Sequence, residues 1–127
     1  MVEVVAALIR QDDKFLICQR PADKTRALLW EFPGGKMEPG ESRKQALIRE
    51  CREELEVMLD VGELYMQVTH KYPDIDIRLS LFEATISEGM LTLKEHHAFA
   101  WIKRDDLFQY EFCPADIEII RRLSKEK

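Results

Sequence analysis

The sequence is poor in cysteine, in long apolar stretches and in excess positive charge. Its three cysteines are odd in number and lack paired spacing, so neither a disulfide framework nor a zinc ribbon is expected. Each thiol is interpreted as a small core side chain in a reducing cytoplasm. No apolar run approaches the ~20 residues that span a bilayer, and no basic leader of a secretory signal is present. We therefore expect a cytoplasmic protein without a membrane partner.

The net charge of −5 argues against a surface that binds polymeric nucleic acid. A free nucleotide remains compatible with it, because a bound divalent cation reverses the local field around acidic ligands. The length of 127 residues, with 46% hydrophobic and 34% charged residues, predicts one globular domain over residues 1–127. Monomer and homodimer both stay open.

Hydrophobic periodicity predicts strands interleaved with two helices. Residues 2–9 are apolar on both faces, as in a strand inside a covered sheet, and residues 75–86 alternate as in a strand with one buried face. Ser42 and Gln45 form a capping-box pattern before the first helix, and Pro114 is expected to open the second. Further strands are predicted at 15–18, 30–32, 65–72 and 98–102. This pattern indicates an α/β fold with a mixed β-sheet packed between helices.

The first predicted helix carries three glutamates behind a glycine loop. Glu50, Glu53 and Glu54 are three and four residues apart and so share a helix face. Taken alone, they also fit a solvated face beside Arg49 and Arg52. Oxygen ligands of this kind suit Mg²⁺ or Mn²⁺, hard cations that are often shared with substrate phosphates. The glycine loop and the spacing favour metal-assisted chemistry on a phosphorylated molecule.

The same residues carry a family resemblance. The run resembles the Nudix box, Gly-x5-Glu-x7-Arg-Glu-U-x-Glu-Glu-x-Gly-U with U a bulky aliphatic residue, and it matches at Gly35, Glu41, Arg49, Glu50, Glu53 and Glu54. Two departures are Cys51 at the first U and Glu56 in place of the glycine. Because a helix-ending glycine is missing, we expect the helix to continue toward Asp60 or Gly62. The segments 30–36, 93–101 and 112–116 resemble the MutT-like branch of the family.

The resemblance implies a fold and a reaction. The fold is the Nudix α/β/α sandwich. The reaction is Mg²⁺-dependent hydrolysis (Mn²⁺ is the alternative cation) of a nucleoside triphosphate to a nucleoside monophosphate and pyrophosphate. Oxidised or modified nucleotides, such as 8-oxo-dGTP or modified dCTP, are the expected substrates. The alternatives are a Nudix hydrolase acting on dinucleoside polyphosphates or ADP-ribose, and a non-catalytic nucleotide sensor.

The resemblance also implies the residues that perform the chemistry. The expected catalytic residues are Glu41, Arg49, Glu50, Glu53, Glu54 and Glu95, and the expected metal ligands are Gly35, Glu50, Glu53, Glu54 and Glu95. Glu95 is also a candidate general base, with His96 or His97 as a rival near neutral pH. Arg49 and Glu41 are expected to pair and so to hold the carboxylates in position.

Five residues are expected to contact the substrate. Arg20 resembles a family arginine that contacts the substrate phosphate, and Lys36 is expected to contact phosphate because it lies beside Gly35. Phe32 and Tyr72 are candidate stacking surfaces. An arginine after a strand and a tyrosine at a strand end are also common structural features. Asp116 is expected to read the base, although it also fits an ordinary first-turn acid. An ionised Asp accepts two hydrogen bonds, which suits the N1–H and N2–H₂ edge of guanine, whereas cytosine requires a protonated Asp or a single bond.

Overall fold

The computed structural model describes residues 1–126. Its strands are β1 Val2–Gln11, β2 Lys14–Gln19, β3 Trp30–Glu31, β4 Gly34–Lys36, β5 Met58–Lys71, β6 Asp76–Glu88 and β7 Ala98–Lys103, and its helices are α1 Arg43–Leu55 and α2 Ile117–Ser124. Two 3₁₀ helices, Arg104–Gln109 and Pro114–Asp116, lie between β7 and α2. None of the helices described is long and apolar enough to cross a bilayer.

The strands form a mixed sheet with β1 near its centre. The order is β3-β2-β1-β6-β5, while β4 pairs with β1 and β7 pairs with β2. β1 and β6 run parallel, and the other pairs are antiparallel. The prediction that the N-terminal strand lies inside a covered sheet is confirmed, because its residues 5–9 are buried.

A helix covers each face of the sheet. On one face, α1 packs through Leu47, Cys51 and Leu55 against alternate residues of β1. On the other, α2 packs through Ile119, Ile120 and Leu123. Each fully buried leucine or isoleucine contributes about 1.5–3 kcal/mol of transfer free energy, so both helices are fixed by their apolar stripes. This is the predicted α/β arrangement, a mixed sheet between helices.

The three thiols lie in this apolar interior. Cys18, Cys51 and Cys113 are free and buried. Burial raises the pKa of each thiol well above its ordinary value, so the thiols remain protonated and act as small core side chains, as their number and spacing indicated.

The start of α1 is as predicted, and its end is not. Ser42 Oγ accepts from the Gln45 amide at 3.1 Å, and Gln45 Oε1 accepts from the Ser42 amide at 2.9 Å, which completes the capping box. The helix ends at Leu55, so the expected continuation toward residues 60–62 is wrong. Glu56 itself adopts the left-handed conformation, with φ 57°, that a glycine would otherwise supply.

Two other element boundaries differ from the prediction. β5 begins at Met58 rather than near Tyr65, because register shifts between Met58 and Met66 break the alternation that reveals a strand in sequence. Pro114 opens a 3₁₀ turn rather than an α-helix, with the Asp116 amide donating to the Cys113 carbonyl at 2.9 Å. α2 therefore begins one residue after Asp116.

Candidate active site

A cavity of about 510 Å³ lies on the α2 side of the sheet and reaches to α1. Its floor is formed by the β1 and β6 side chains Val4, Ala6, Ile77 and Leu79. Two groups of lining residues differ in their chemistry. The carboxylate end is formed by Gly35, Glu50 and Glu54. The Asp116 end is formed by Tyr72, Ala115 and Asp116. The volume is within the range of roughly 300–1,000 Å³ that is usual for small-molecule sites.

The carboxylate end arises where β4 passes α1. Glu50 projects from α1, and its side chain is only 14% exposed. A Cβ atom at Gly35 would overlap the carboxyl carbon and both oxygens of Glu50. A side chain at this position would push the Glu50 carboxylate aside, so the glycine lets main-chain atoms of the strand pass beside that carboxylate.

Glu54 completes this end with a strongly perturbed carboxyl group. Burial, together with the neighbouring carboxylates of Glu50, Glu95 and Glu31, raises the pKa of Glu54 to about 8. Like charges held together in a cleft are costly unless a cation joins them. The perturbation is therefore typical of a functional carboxylate cluster.

Arg49 links the carboxylates of the loop and the helix. Its Nε and NH2 atoms donate to both oxygens of Glu41 at 2.6 and 2.9 Å, and its NH1 donates to Glu50 at 3.0 Å. NH2 also donates to the Lys36 carbonyl at 3.1 Å. These bonds lower the pKa of Glu41. The predicted Arg49–Glu41 pair is thus present, and it holds Glu50 in place.

Glu53 is not brought into the cavity. Its side chain is 60% exposed and reaches Arg49 NH1 at 3.3 Å, on the outer surface of α1 with Ile48 and Arg52. Glu50 and Glu54 are one turn apart and both line the cavity, whereas Glu53, about 100° around the helix from Glu54, does not. The three carboxylates therefore do not face the cavity together. Its expected role as a metal ligand or in orienting water stays a prediction.

Glu95 is held beside Glu54 by the backbone. The Thr92 amide donates to the Leu55 carbonyl at 3.0 Å, and the Lys94 amide donates to the Glu54 carbonyl at 3.1 Å. The segment thus satisfies carbonyls at the end of α1 that lack partners within the helix. As a consequence, Glu95 lines the cavity close enough to Glu54 to raise the pKa of that carboxyl group.

The residues at the carboxylate end fit a hard divalent cation in their chemistry. Among residues 1–126, no three Asp, Glu, His or Cys side chains are arranged as a ready metal site. The Gly35 backbone passes beside the Glu50 carboxylate, and a main-chain carbonyl is an oxygen donor of the kind that hard cations accept. A set of this carbonyl and the two carboxylates would therefore contain only oxygen donors, the type that suits Mg²⁺ or Mn²⁺.

The two basic residues expected to contact phosphate both line the cavity. Arg20 is fixed from two directions, since its NH1 donates to Glu31 Oε1 at 3.1 Å and its Nε donates to the Thr25 carbonyl at 2.8 Å. Lys36 follows Gly35 directly and is exposed. Their contacts with phosphate stay predictions.

Asp116 is buried at the other end of the cavity. It is 4% exposed and lines the cavity wall. Burial raises the pKa of Asp116 well above its ordinary value, and the Glu31 carboxylate raises it further, while Arg20 opposes this. The site therefore favours the neutral carboxyl group rather than the carboxylate assumed for guanine.

The two predicted stacking residues differ in what they present. Phe32 is buried and stacks on Phe112, with 5.9 Å between ring centroids, so it is mainly a core residue that touches the cavity wall. Tyr72 is half-buried, and its hydroxyl accepts a hydrogen bond from the Ala115 amide at 2.9 Å. The Arg26 guanidinium carbon lies over the Tyr72 ring, 4.0 Å from its centroid, and so covers one face of the ring.

Sequence reasoning missed Glu31, which lines the same cavity. Glu31 accepts from Arg20 at 3.1 Å and lies 3.4 Å from His96 Nε2. It raises the pKa of both Glu54 and Asp116. No local pattern marked it, because its importance comes from Glu54 and Asp116, which are distant in sequence.

The two histidines that rivalled Glu95 as a base have different surroundings. His96 lines the cavity, and its side chain is 5% exposed beside Glu31. His97 is exposed, and its backbone amide donates to the Gln19 carbonyl at 2.9 Å. The geometry leaves His96 as the histidine closer to the cavity.

Comparison with known proteins extends the similarity beyond the glycine–glutamate motif. The sequence matches the NUDIX domain family over residues 4–122. A CTP pyrophosphohydrolase of Escherichia coli (strain K12) is 43% identical over 120 residues, which cover 94% of this chain and 89% of the relative. An 8-oxo-dGTP diphosphatase of the same strain is 30% identical over 125 residues, covering 98% and 97%.

A solved structure agrees with these sequence matches. The crystal structure of a MutT protein from Methanosarcina mazei Go1 has a TM-score of 0.84 at 27% identity, covering 98% of this chain and 96% of that one. The likeness therefore extends over nearly the whole fold.

Proposed function

This chain belongs to the NUDIX domain family and is an enzyme of the nucleoside triphosphate pyrophosphohydrolase type; we propose that it prefers cytidine or deoxycytidine triphosphates, including modified ones. The products are a nucleoside monophosphate and pyrophosphate. The observation that carries the proposal is one cavity that connects the carboxylate end to the buried carboxyl group of Asp116. The carboxylate end would bind the triphosphate, and Asp116 would bind the base.

Nudix hydrolases use divalent cations, and we propose Mg²⁺ here, with Mn²⁺ as the alternative. The Gly35 carbonyl, Glu50 and Glu54 would hold the ion. When bound, the ion would offset phosphate charge and lower the pKa of the attacking water. Arg49 keeps the Glu50 carboxylate in place through its 3.0 Å bond. Glu95, held beside Glu54, would accept a proton from the attacking water.

The proposed preference for cytosine over guanine follows from the protonation state of Asp116. A neutral carboxyl group offers one O–H donor and one C=O acceptor, which complement the N3 acceptor and the N4–H₂ donor of cytosine. The two donors of the guanine N1–H and N2–H₂ edge require a carboxylate, which burial disfavours. The relative at 43% identity is named for CTP, and this supports the same preference.

The second candidate substrate is 8-oxo-dGTP. It is favoured by the relative that is 30% identical and named as an 8-oxo-dGTP diphosphatase. In this case Asp116 would have to ionise on binding, and Arg20 is the cation that would favour the ionised form. The two candidates therefore differ in the charge that they require at one residue.

A substrate panel and two variants of Asp116 test the base preference. The panel is CTP, dCTP, UTP, ATP, dGTP and 8-oxo-dGTP with Mg²⁺, measured as kcat/KM for pyrophosphate release. UTP and ATP are included because they also present one donor and one acceptor. We expect CTP or dCTP to be turned over best. Equal rates on the whole panel would contradict base reading by Asp116.

The Asp116→Asn variant distinguishes a neutral from an ionised carboxyl group at this position. The Asn amide has one donor and one acceptor, as a neutral Asp has, so Asp116→Asn is expected to retain CTP hydrolysis. Asp116→Ala should reduce kcat/KM for CTP by about 10- to 100-fold, since it leaves the base edge unpaired. If Asp116→Asn loses CTP hydrolysis as fully as Asp116→Ala, the neutral-carboxyl proposal is wrong.

A further inference from the structure

Arg26 makes a contact across the cavity that the proposed reaction does not use. Its guanidinium carbon lies 4.0 Å from the Tyr72 ring centroid, and its NH1 donates to Asp74 Oδ1 at 3.1 Å, across 48 residues of sequence. All three residues line the cavity. Because the Tyr72 hydroxyl is bonded to Ala115, next to Asp116, this contact lies at the Asp116 end.

The contact changes which surface faces a bound base. A guanidinium at 4.0 Å from the ring centroid is within the range of a cation–π contact, so it occupies a face of the tyrosine ring. The His70 ring lies 4.5 Å from the same ring, tilted by 60°. A base that approached this face of the tyrosine would therefore meet the Arg26 guanidinium before the phenol ring.

The guanidinium retains donors for a ligand. Within residues 1–126, its one side-chain hydrogen bond is that to Asp74. An arginine side chain has five N–H donors in a planar fork. The Arg26 side chain is only 22% exposed, so a ligand in the cavity would meet a partly desolvated plane.

The loop that carries Arg26 is held by backbone hydrogen bonds. The Arg20 amide donates to the Leu29 carbonyl at 2.9 Å, and the Leu28 amide donates to the Arg20 carbonyl at 3.2 Å. Arg26 and Leu28 both have left-handed backbone angles, with φ 54° and 61°. Such angles are costly for residues other than glycine and persist where surrounding structure holds them, often at ligand sites.

We propose that Arg26 is a specificity-determining residue whose guanidinium plane stacks on the nucleobase at the Asp116 end of the cavity. The inference rests on the proposed function, which places the base at this end. Tyr72 and Asp74 then act as positioning residues that hold the guanidinium in plane. An arginine suits this task because its planar, weakly hydrated cation stacks on aromatic rings, whereas a lysine ammonium does not present a plane.

The test compares Arg26→Gly, Arg26→Lys and the remote control Arg104→Gln. Glycine is chosen because it removes the side chain and suits the φ of 54°, so the fold is retained, and melting curves verify this. The probes are CTP and ribose 5-triphosphate, which has no base. We expect Arg26→Gly to raise KM for CTP about 5- to 30-fold with kcat little changed, and Arg26→Lys to recover only a small part of that loss.

The base-free probe decides between stacking and phosphate binding. We expect Arg26→Gly to leave KM for ribose 5-triphosphate within about twofold of the parent chain, because no base is present to stack. An equal rise in KM for both probes would show a phosphate contact and overturn the inference. An unchanged KM for CTP in Arg26→Gly would overturn it as well. Failure of the proposed function appears separately, as absence of CTP turnover in the unaltered chain and in Arg104→Gln.

Discussion

At the scale of single residues, neighbouring glutamates of one helix have different environments. Glu50 is largely buried beside Gly35, and burial with like charge raises the pKa of Glu54 to about 8. Glu53 projects to solvent and contacts Arg49. Charge near phosphate matters most where water is excluded, because a low dielectric strengthens each interaction. The glutamates should therefore differ in their importance for turnover.

We expect Glu54→Gln to lower kcat by about 10³-fold or more, since a cation held at the cavity lowers the barrier by several kcal/mol. Glu53→Gln should cost less than about 30-fold, because its side chain lies outside the cavity. Mg²⁺-dependent pyrophosphate release measures both, with Glu63→Gln on β5 as the matched control. A loss in Glu53→Gln as large as that in Glu54→Gln would reverse this ranking.

The raised pKa of Asp116 predicts that the free energy of unfolding depends on pH. Its folded pKa is raised above the unfolded value of about 3.9, so its contribution is fully present below that value and is lost as pH rises through the folded pKa. Asp116→Asn cannot ionise, and it should be more stable than the parent chain at pH 7 and equal to it near pH 4. Urea unfolding between pH 4 and pH 8 measures the difference. The exposed Asp105→Asn is the control, and a constant difference across this range would contradict the prediction.

At the scale of elements, the end of α1 determines the geometry of the site. Glu56 stops the helix in a left-handed conformation, and its side chain lies 2.9 Å from Lys94 Nζ. The amides of Thr92 and Lys94, in the segment after β6, then donate to the carbonyls of Leu55 and Glu54 and so place Glu95. A helix that continued to residues 60–62 would have removed these carbonyls from reach.

Glycine at Glu56, which caps α1, and glycine at Glu53, inside α1, should have opposite effects on the free energy of unfolding. Glu56→Gly relieves the left-handed strain at φ 57°, and we expect a gain of about 0.5–1 kcal/mol in the free energy of unfolding after the loss of the exposed Lys94 pair. Glu53→Gly, inside the helix, should lose about 1 kcal/mol. Denaturant unfolding with an unchanged m-value measures both. A loss of stability in Glu56→Gly would show that the Lys94 contact outweighs the strain.

At the scale of the whole molecule, the fold and the proposed cation site are separate. Two apolar clusters, one on each face of the sheet, hold α1 and α2. The carboxylate end lies at the edge of these clusters, and its ligands contribute charge rather than apolar burial. A cation there should support turnover without being required for folding.

Removal of divalent cations should therefore stop turnover and leave the fold intact. With EDTA we expect no pyrophosphate release and an unchanged circular dichroism spectrum, and added Mg²⁺ should restore activity. A saturating ligand that binds only the folded state stabilises it by about 2.7 kcal/mol at 100 times its Kd, so Mg²⁺ with CMP should raise the melting temperature. The rise should be absent in Glu54→Gln. Unfolding in EDTA alone would show that the ion is structural.

Local features of this molecule were predictable because their causes are local. The capping box of Ser42 and Gln45, the apolar stripes of α1 and α2, and the Arg49–Glu41 pair all depend on residues that are close in sequence or follow a helical period. The β5 boundary was missed because bulges interrupt its alternation. Glu31 was missed because its importance arises from groups distant in sequence, Glu54 and Asp116.

The sequence by itself determined the mixed α/β class, the glycine loop before a glutamate-bearing helix, and the family, since spacing and periodicity are properties of the chain alone. Only the tertiary structure decided which glutamates enter the cavity, that Asp116 favours its neutral form, and that Arg26 covers Tyr72. The physical reason is that burial and long-range contact set the charge state and exposure of a group. Both depend on residues brought together from distant parts of the chain.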